Sequence, residues 1–150
     1  MREELGLEVL KIIKDTLCVE DNDIRDCCYL KEGMTNKSFS FLCGNDKYIM
    51  RIPGEGTDNL INRHNERDVY YSLKGKNICD DVVYINADNG YKITVFYNNA
   101  RACRSDSIED IKHCMKHLRR LHKMQLEVKH SFDVFQQLEF YEMLWNGHKS

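Results

Sequence analysis

The stretch YIMRIPGEGT, residues 48–57, alternates apolar and polar side chains and then breaks at a proline followed by two glycines. In an extended chain Met50 and Ile52 fall on one side, so Arg51 falls on the other. Proline cannot donate to a sheet ladder, and the glycines allow a sharp change of direction. The stretch therefore predicts a strand that ends near Pro53 and carries an arginine on the face opposite its apolar residues.

The residues after this strand predict a helix that begins at Thr57 or Asp58 and runs to about Leu73, with Gly75 as its C-terminal stop. Within it, Glu66 shares a stripe with apolar residues three, four and seven positions further on. These are Val69, Tyr70 and Leu73. A charge removed from water without a partner costs several kcal/mol, so we expect Arg51 and Glu66 to pair.

Periodicity and turn residues predict the remaining elements. A helix at 2–18 precedes three strands, at 27–32, 37–43 and 47–52, and Gly44-Asn45-Asp46 joins the last two. A second hairpin, at 81–85 and 91–97, surrounds Asp88-Asn89-Gly90. Two helices follow, one after a capping box at Asp106 and Glu109 and one after Ser131. The order predicts an α+β fold: a five-stranded antiparallel sheet with one inserted helix, one preceding helix and two trailing helices.

The composition excludes several classes of protein. With 22 basic and 24 acidic residues and a net charge of −2, the chain has no electrostatic attraction for nucleic acid or an anionic membrane. No apolar stretch approaches the ~20 residues of a membrane span, and the first residues, Met-Arg-Glu-Glu, do not form a signal peptide. Seven cysteines without a Cys-x-x-Cys pair indicate reduced thiols, mostly small core residues, and a cytoplasmic location.

Each feature also has a purely structural interpretation. Arg51 fits an exposed edge position, Glu66 a solvated helix face, and Gly33 an ordinary turn. His113 and His117 are four residues apart, but the Leu118 and Leu121 pattern favours a packing helix over a metal site. The aromatic residues of the strands favour a core over a platform for nucleic-acid bases, because the charge balance supplies no attraction.

Five segments together resemble the N-terminal part of the bacterial choline kinases, which are related to the choline/ethanolamine kinases and the aminoglycoside phosphotransferases. The segments are KEGMTNKSFSF, YIMRIPGEGT, LINRHNE, YKITVFYNNA and LRRLH. A glycine hairpin, a basic residue in the next strand and a glutamate in the next helix also follow the order of the protein-kinase small lobe. The resemblance extends from about residue 28 to 147.

The resemblance implies a role for each matching residue. The phosphate loop would run from Gly33 to Lys37, with backbone N–H groups and polar side chains facing the triphosphate of ATP. Its members are Gly33, Met34, Thr35, Asn36 and Lys37. Arg51 would replace the kinase strand lysine and contact phosphate, oriented by Glu66. The hinge, which meets the adenine edge, would comprise Phe96, Tyr97 and Asn98.

The same resemblance divides the chain into a small lobe at 1–97, a hinge or linker at 98–105 and the first helices of a large lobe at 106–150. In the family, a His-x-Asp loop and a later aspartate before Trp-Glu supply the base and the magnesium ligands, and neither pattern occurs here. We therefore assign no catalytic residue and no metal ligand. ATP and magnesium are implied by the family alone, and choline or a related amino alcohol would need the missing lobe.

Two interpretations remain open. The chain is predicted to be the ATP-binding small lobe of a choline/ethanolamine kinase-like phosphotransferase that phosphorylates nothing by itself. The alternative is a truncated, non-catalytic binding module that self-associates through apolar surface exposed around the hinge and the last helices.

Overall fold

The computed structural model describes residues 5–30, 36–57 and 60–147, and side chains as far as 145. Its sheet has five antiparallel strands in the order β1-β2-β3-β5-β4. The strands are β1 Ile24–Tyr29, β2 Asn36–Cys43, β3 Asp46–Pro53, β4 Val82–Ile85 and β5 Lys92–Val95. The helices are α1 Leu7–Leu17, α2 Arg63–Leu73, α3 Ile108–Lys123 and α4 Val134–Gly147. The predicted α+β architecture is confirmed.

One face of the sheet forms the hydrophobic core. Phe39, Met50 and Ile93 are opposite one another on the three central strands, and each is at most 1% exposed. Helix α1 covers this face with Val9 and Ile13, because its apolar residues recur at the spacing of an amphipathic helix. Burial of these side chains fixes which side of every strand faces away from the core.

The other face of the same three strands is polar. Ser38, Arg51 and Lys92 are in register across β2, β3 and β5. Ser40 and Thr94, one pair further along, are buried although both are polar. Side chains alternate between the faces of a strand, so the residues between the core positions must point to this side. The sheet therefore presents a row of small polar and cationic groups opposite its core.

Two sequence-predicted turns are confirmed. Gly44 and Asn45 connect β2 to β3, with Cys43 opposite Asp46, and Gly44 has a φ of 62°. Gly90 lies in the turn between β4 and β5 with a φ of 69°. Glycine adopts these positive φ angles without the steric cost that a Cβ atom brings.

The predicted start of α2 at Thr57 or Asp58 was wrong. The carbonyl of Thr57 accepts hydrogen bonds from Leu60 and Ile61, which forms a separate turn before the helix. The helix begins at Arg63, because the Asn62 side chain caps it by accepting a hydrogen bond from the Asn65 N–H at 3.0 Å. The predicted stop is confirmed, since Gly75 has a φ of 72° just after the helix ends.

Two further boundaries differ from the predictions. Strand β1 begins at Ile24 rather than residue 27. The prediction missed its first residues because an irregularity between Arg25 and Cys28 interrupts the alternation. Helix α3 is capped by Ser107, which accepts a hydrogen bond from the Asp110 N–H, and not by a box of Asp106 and Glu109. An offset of one residue at a helix end is ordinary, and here the adjacent Asp106 and Ser107 are both suitable caps by residue type.

The cysteines and the last two helices are more exposed than predicted. Only Cys27 and Cys43 are buried, whereas Cys18, Cys28, Cys103 and Cys114 are exposed. The stripe residue Val69 of α2 is also exposed. The apolar stripes of α3 and α4 lie largely in solvent, and they include Ile108, Ile111, Met115, Leu118, Phe135, Leu138, Tyr141 and Trp145. Among the described residues, no helix has the length and apolar character needed to cross a membrane.

Candidate nucleotide site

Arg51 and Glu66 form a two-point ion pair on the polar face of the sheet. The Nη1 atom of Arg51 donates to Oε1 of Glu66, and its Nη2 atom donates to Oε2 at 3.0 Å. The two side chains are only 13% and 19% exposed. A planar guanidinium matches a carboxylate in this fork geometry, which fixes its orientation as well as its position. The predicted pairing of these two residues is confirmed.

A second arginine donates to the same carboxylate. Arg63, one turn before Glu66 on α2, donates to Oε2 at 3.0 Å. Its other Nη atom donates to the hydroxyl of Thr57 at 3.0 Å, and that hydroxyl donates to the Gly54 carbonyl at 2.8 Å. The buried Arg63 therefore ties the start of α2 to the turn that follows β3.

Gly90 supplies the third contact of Arg51. Its carbonyl accepts a hydrogen bond from Nη2 of Arg51 at 3.0 Å. A Cβ atom added at Gly90 would lie 2.7 Å from Cγ of Pro53 and 3.0 Å from Nε of Arg63, so a larger residue would force the turn or these side chains to shift. The β4–β5 turn thus packs directly on the arginine pair, and the absence of a side chain permits this close approach.

Lys92 adds a further buried cation beside Arg51. Its Nζ atom donates to the Tyr70 hydroxyl at 2.5 Å and lies 4.0 Å from the centre of the Tyr70 ring. Burial, followed by the charge of Arg51, lowers the pKa of Lys92 from its ordinary value. Burial raises the pKa of the Tyr70 hydroxyl.

The two arginines decide the ionisation of Glu66. Burial alone would raise its pKa, but hydrogen bonds and charge from Arg51 and then from Arg63 outweigh burial and place the pKa below its ordinary value. Glu66 is therefore an anion at neutral pH. Three of the five N–H groups of Arg51 are used in the hydrogen bonds described above, and its buried Nε has no partner among the described residues. The guanidinium therefore retains donor capacity for an anion.

Solved structures provide the comparison for this geometry. The choline kinase LicA from Streptococcus pneumoniae superposes with a TM-score of 0.73 and 27% sequence identity, over 89% of this chain and 47% of that one. LicA in complex with AMP gives a TM-score of 0.69 and 26% identity, over 93% of this chain and 50% of that one. The chain has the fold of a protein kinase-like small lobe of the choline kinase type.

An ethanolamine kinase from Plasmodium vivax shares this small-lobe fold, with a TM-score of 0.59 and 22% identity over 90% of this chain and 38% of that one. Comparison with protein-family models gave no match, and comparison with curated proteins gave none. The small lobe described here spans about half the length of the choline kinase structures that it matches.

The predicted phosphate loop of the small lobe is described only in part. Gly33, Met34 and Thr35 lie outside the described residues, so their role stays a prediction. Asn36 begins β2 opposite Pro53 and falls on the same face as Arg51. Lys37 is opposite Ile52 and falls on the core face, where it is exposed. The structure therefore brings Asn36, but not Lys37, to the side of the sheet that holds Arg51.

The predicted hinge residues follow β5 directly. The N–H of Phe96 donates to the Lys47 carbonyl at 2.8 Å, and the Tyr97 carbonyl accepts from the Ala100 N–H at 3.1 Å. The Tyr97 hydroxyl donates to Asp81 at 2.6 Å, so this side chain is anchored to the start of β4. The hydrogen bonds described for these residues do not use the Phe96 carbonyl or the backbone of Asn98, which is exposed. The contact of these backbone groups with adenine stays a prediction.

Sequence analysis missed three residues of this arrangement: Arg63, Gly90 and Lys92. The spacing of Arg63 and Glu66, three apart on one helix, could have indicated their contact. Lys92 precedes the apolar Ile93 in a predicted strand, so alternation could have placed it beside Arg51 had the strand order been known. The contact between Gly90 and Arg51 joins residues 39 apart and has no local signal.

Proposed function

We propose that the chain is the ATP-binding small lobe of a choline/ethanolamine kinase-like phosphotransferase. The observation that carries the proposal is the Arg51–Glu66 pair on the polar face of the sheet. The Gly90 carbonyl holds Arg51, and Arg63 holds Glu66. The similarity to LicA supports it, and the AMP complex of LicA supports a nucleotide as the ligand. ATP would supply the phosphoryl group, while Arg51 would bind a phosphate oxygen through the N–H groups that the hydrogen bonds among the described residues leave unused.

The polar face carries small side chains between Arg51 and the hinge. Ser40 and Thr94 are short and buried, and they lie on either side of Ile49 in the part of this face nearer to the hinge. Three cationic side chains, Arg51, Arg63 and Lys92, lie close together and repel one another. The negative charge of Glu66, which pairs with both arginines, offsets part of this repulsion. We propose that these features position the triphosphate at Arg51 and the base towards Asn98.

Magnesium does not fit the residues described. No group of three histidine, cysteine, aspartate or glutamate side chains in the described part of the chain is arranged to hold a metal ion. We propose that the magnesium ligands and the residues for phosphoryl transfer to an amino alcohol lie beyond those described. Seven thiols without a disulfide are consistent with a reducing compartment, so the cytoplasm stays the predicted location.

The test is a calorimetric titration with MgATP of the wild type and of Arg51→Ala. One hydrogen bond to a charged group contributes about 1.5 to 3 kcal/mol, so we expect the variant to bind at least about tenfold more weakly. Arg25→Ala is the matched control, because Arg25 is an exposed strand arginine that contacts only the Gly44 carbonyl in the hydrogen bonds described. Circular dichroism checks that each variant is folded.

Equal affinity of wild type and Arg51→Ala would contradict the phosphate role of Arg51. Absence of MgATP binding to the folded wild type would contradict nucleotide binding by this chain. Arg51→Lys, which keeps the charge but not the fork, is expected to bind with intermediate affinity.

A second candidate function is self-association as a non-catalytic module. The exposed apolar stripes of α3 and α4 favour it, since large exposed apolar patches mark interaction sites. Phe135 of α4 is 77% exposed and Ile108 of α3 is 69% exposed, although both belong to helical apolar patterns. This candidate does not require the nucleotide site.

A further inference from the structure

Two cysteine thiols meet at the surface, outside the nucleotide site. The Sγ atoms of Cys103, in the linker after β5, and Cys114, in α3, lie 3.2 Å apart. Both residues are exposed. Residue 103 precedes α3 and residue 114 lies in its second turn, so the contact closes a short loop. Neither thiol has a role in the function proposed above.

The linker is held in this position by polar contacts that do not involve the thiols. Arg101 donates to both carboxylate oxygens of Asp110, at 2.6 and 2.8 Å, and the Arg104 N–H donates to the same carboxylate at 3.0 Å. Cys103 lies between these two arginines, so its backbone is attached to the first turn of α3 on either side. The thiols therefore meet with a high effective concentration and with little further ordering of the chain.

Helix α3 is in turn attached to the small lobe. A ring nitrogen of His117 lies 2.8 Å from the Ile78 carbonyl, and Arg120 donates to the carbonyl of Asn77. Because α3 contacts the segment after α2, a covalent bond from the linker to α3 would fix the linker relative to the lobe. This places the thiol pair where the chain leaves the last strand of the sheet.

We propose that Cys103 and Cys114 form a site of reversible disulfide exchange, whose oxidant is a low-molecular-weight disulfide. One thiol loses its proton and attacks a sulfur of the oxidant, which forms a mixed disulfide and releases one small thiol. The second protein thiolate attacks the mixed disulfide, forms the Cys103–Cys114 bond and releases the second small thiol. Two protein thiols are oxidised and one small disulfide is reduced to two thiols, so atoms and electrons balance.

The other cysteines offer a contrast within the same chain. Cys27 and Cys43 are buried, which protects them from reagents in solution. Cys18 is exposed like Cys103, and the hydrogen bonds described place no second thiol beside it. Cys28 is also exposed, but it directly follows the buried Cys27 in the sequence and is not a single thiol of this kind. At Cys18 exchange is expected to stop at the mixed disulfide, whereas at Cys103 the neighbouring thiol is expected to resolve it. Oxidation of the pair should therefore give an internal disulfide, whereas oxidation of an exposed single thiol gives a mixed disulfide.

The test is incubation of the whole chain with glutathione disulfide, followed by unfolding, maleimide labelling and mass spectrometry. Glutathione adducts on single cysteines are identified by their added mass and counted separately. Apart from these adducts, the wild type is expected to lose two of its seven thiols to an internal bond. Trypsin should then release residues 102–104 and 113–116 as one disulfide-linked pair of peptides. Dithiothreitol should restore all seven thiols.

Two variants at exposed cysteines separate the internal bond from exchange at a single thiol. In Cys114→Ser the linked peptides are expected to disappear, and Cys103 should retain glutathione. In Cys18→Ser, the matched control, the linked peptides should form as in the wild type. The proposal is overturned if the wild type keeps glutathione on Cys103, if the bond joins two chains, or if both thiols label as in the reduced protein. None of these results depends on whether the chain binds a nucleotide.

Discussion

At the scale of single residues, Glu66 is the group on which two arginines converge. Its pKa is lower in the folded chain than the ordinary 4.5, because Arg51 and Arg63 favour its charged form more strongly than burial opposes it. A group with a lowered folded pKa stabilises the fold above its unfolded pKa, and this stabilisation is lost as the pH falls towards the folded value. Glu66 should therefore stabilise the chain at neutral pH and progressively less in acid.

We predict that Glu66→Gln lowers the free energy of unfolding by about 2 kcal/mol at pH 7, since hydrogen bonds to charged groups contribute about 1.5 to 3 kcal/mol. The difference from wild type should begin to shrink as the pH falls below 4.5, because Glu66 of the unfolded wild-type chain then binds a proton, and it should continue to shrink until the pH reaches the lower pKa of the folded chain. Urea denaturation at several pH values measures both effects. Glu139→Gln, at an exposed position, is the control. A difference that stays constant with pH would contradict the assignment.

At the scale of elements, the β4–β5 turn determines how Arg51 is held. Gly90 combines a positive φ with a packed surrounding, and its carbonyl accepts a hydrogen bond from Arg51. Gly44, in the β2–β3 turn, has a similar φ, but a Cβ atom there would meet nothing within 4 Å. A comparison of substitutions at the two glycines therefore separates the cost of the backbone conformation, which both share, from the cost of a steric clash, which only Gly90 has.

We predict that Gly44→Ala destabilises the chain by about 1 to 2 kcal/mol, the cost of a left-handed conformation for a residue with a Cβ atom. Gly90→Ala should cost clearly more, because its Cβ atom would also clash with Pro53 at 2.7 Å. Denaturant unfolding of both variants gives the comparison, and MgATP affinity should fall only for Gly90→Ala. Equal destabilisation of the two variants would mean that the turn moves away from Pro53 without cost.

At the scale of the whole molecule, many of the exposed large apolar side chains among the described residues lie on α3 and α4. We predict that the chain self-associates with increasing concentration, and that the double substitution Phe135→Ser and Leu138→Ser weakens this association, because it removes apolar area from α4. Sedimentation velocity measures the mass as a function of concentration. Leu7→Ser is the control, since Leu7 is 89% exposed on a different helix. A wild type that stays monomeric throughout would contradict the prediction.

Much of the fold could be predicted because its signals are local. The alternation around Arg51, the turn at Gly44 and the stop at Gly75 each depend on neighbouring residues and were found in the structure. The start of α2 was misplaced because Thr57 is a suitable cap by residue type, yet it hydrogen-bonds to Gly54 and to Arg63 instead. The irregularity in β1 concealed Ile24 for a similar reason, since a break in register removes the period that prediction uses.

The sequence by itself determined the succession of strands and helices along the chain, the face of β3 that carries Arg51, and the need of that arginine for an acidic partner. These follow from side-chain periodicity and from the cost of an unpaired charge. Only the tertiary structure decided that Arg63 and Lys92 are buried beside that pair, that Gly90 packs against Pro53, and that Cys103 meets Cys114. Those contacts depend on how separate elements pack in space, and local periodicity carries no information about that packing.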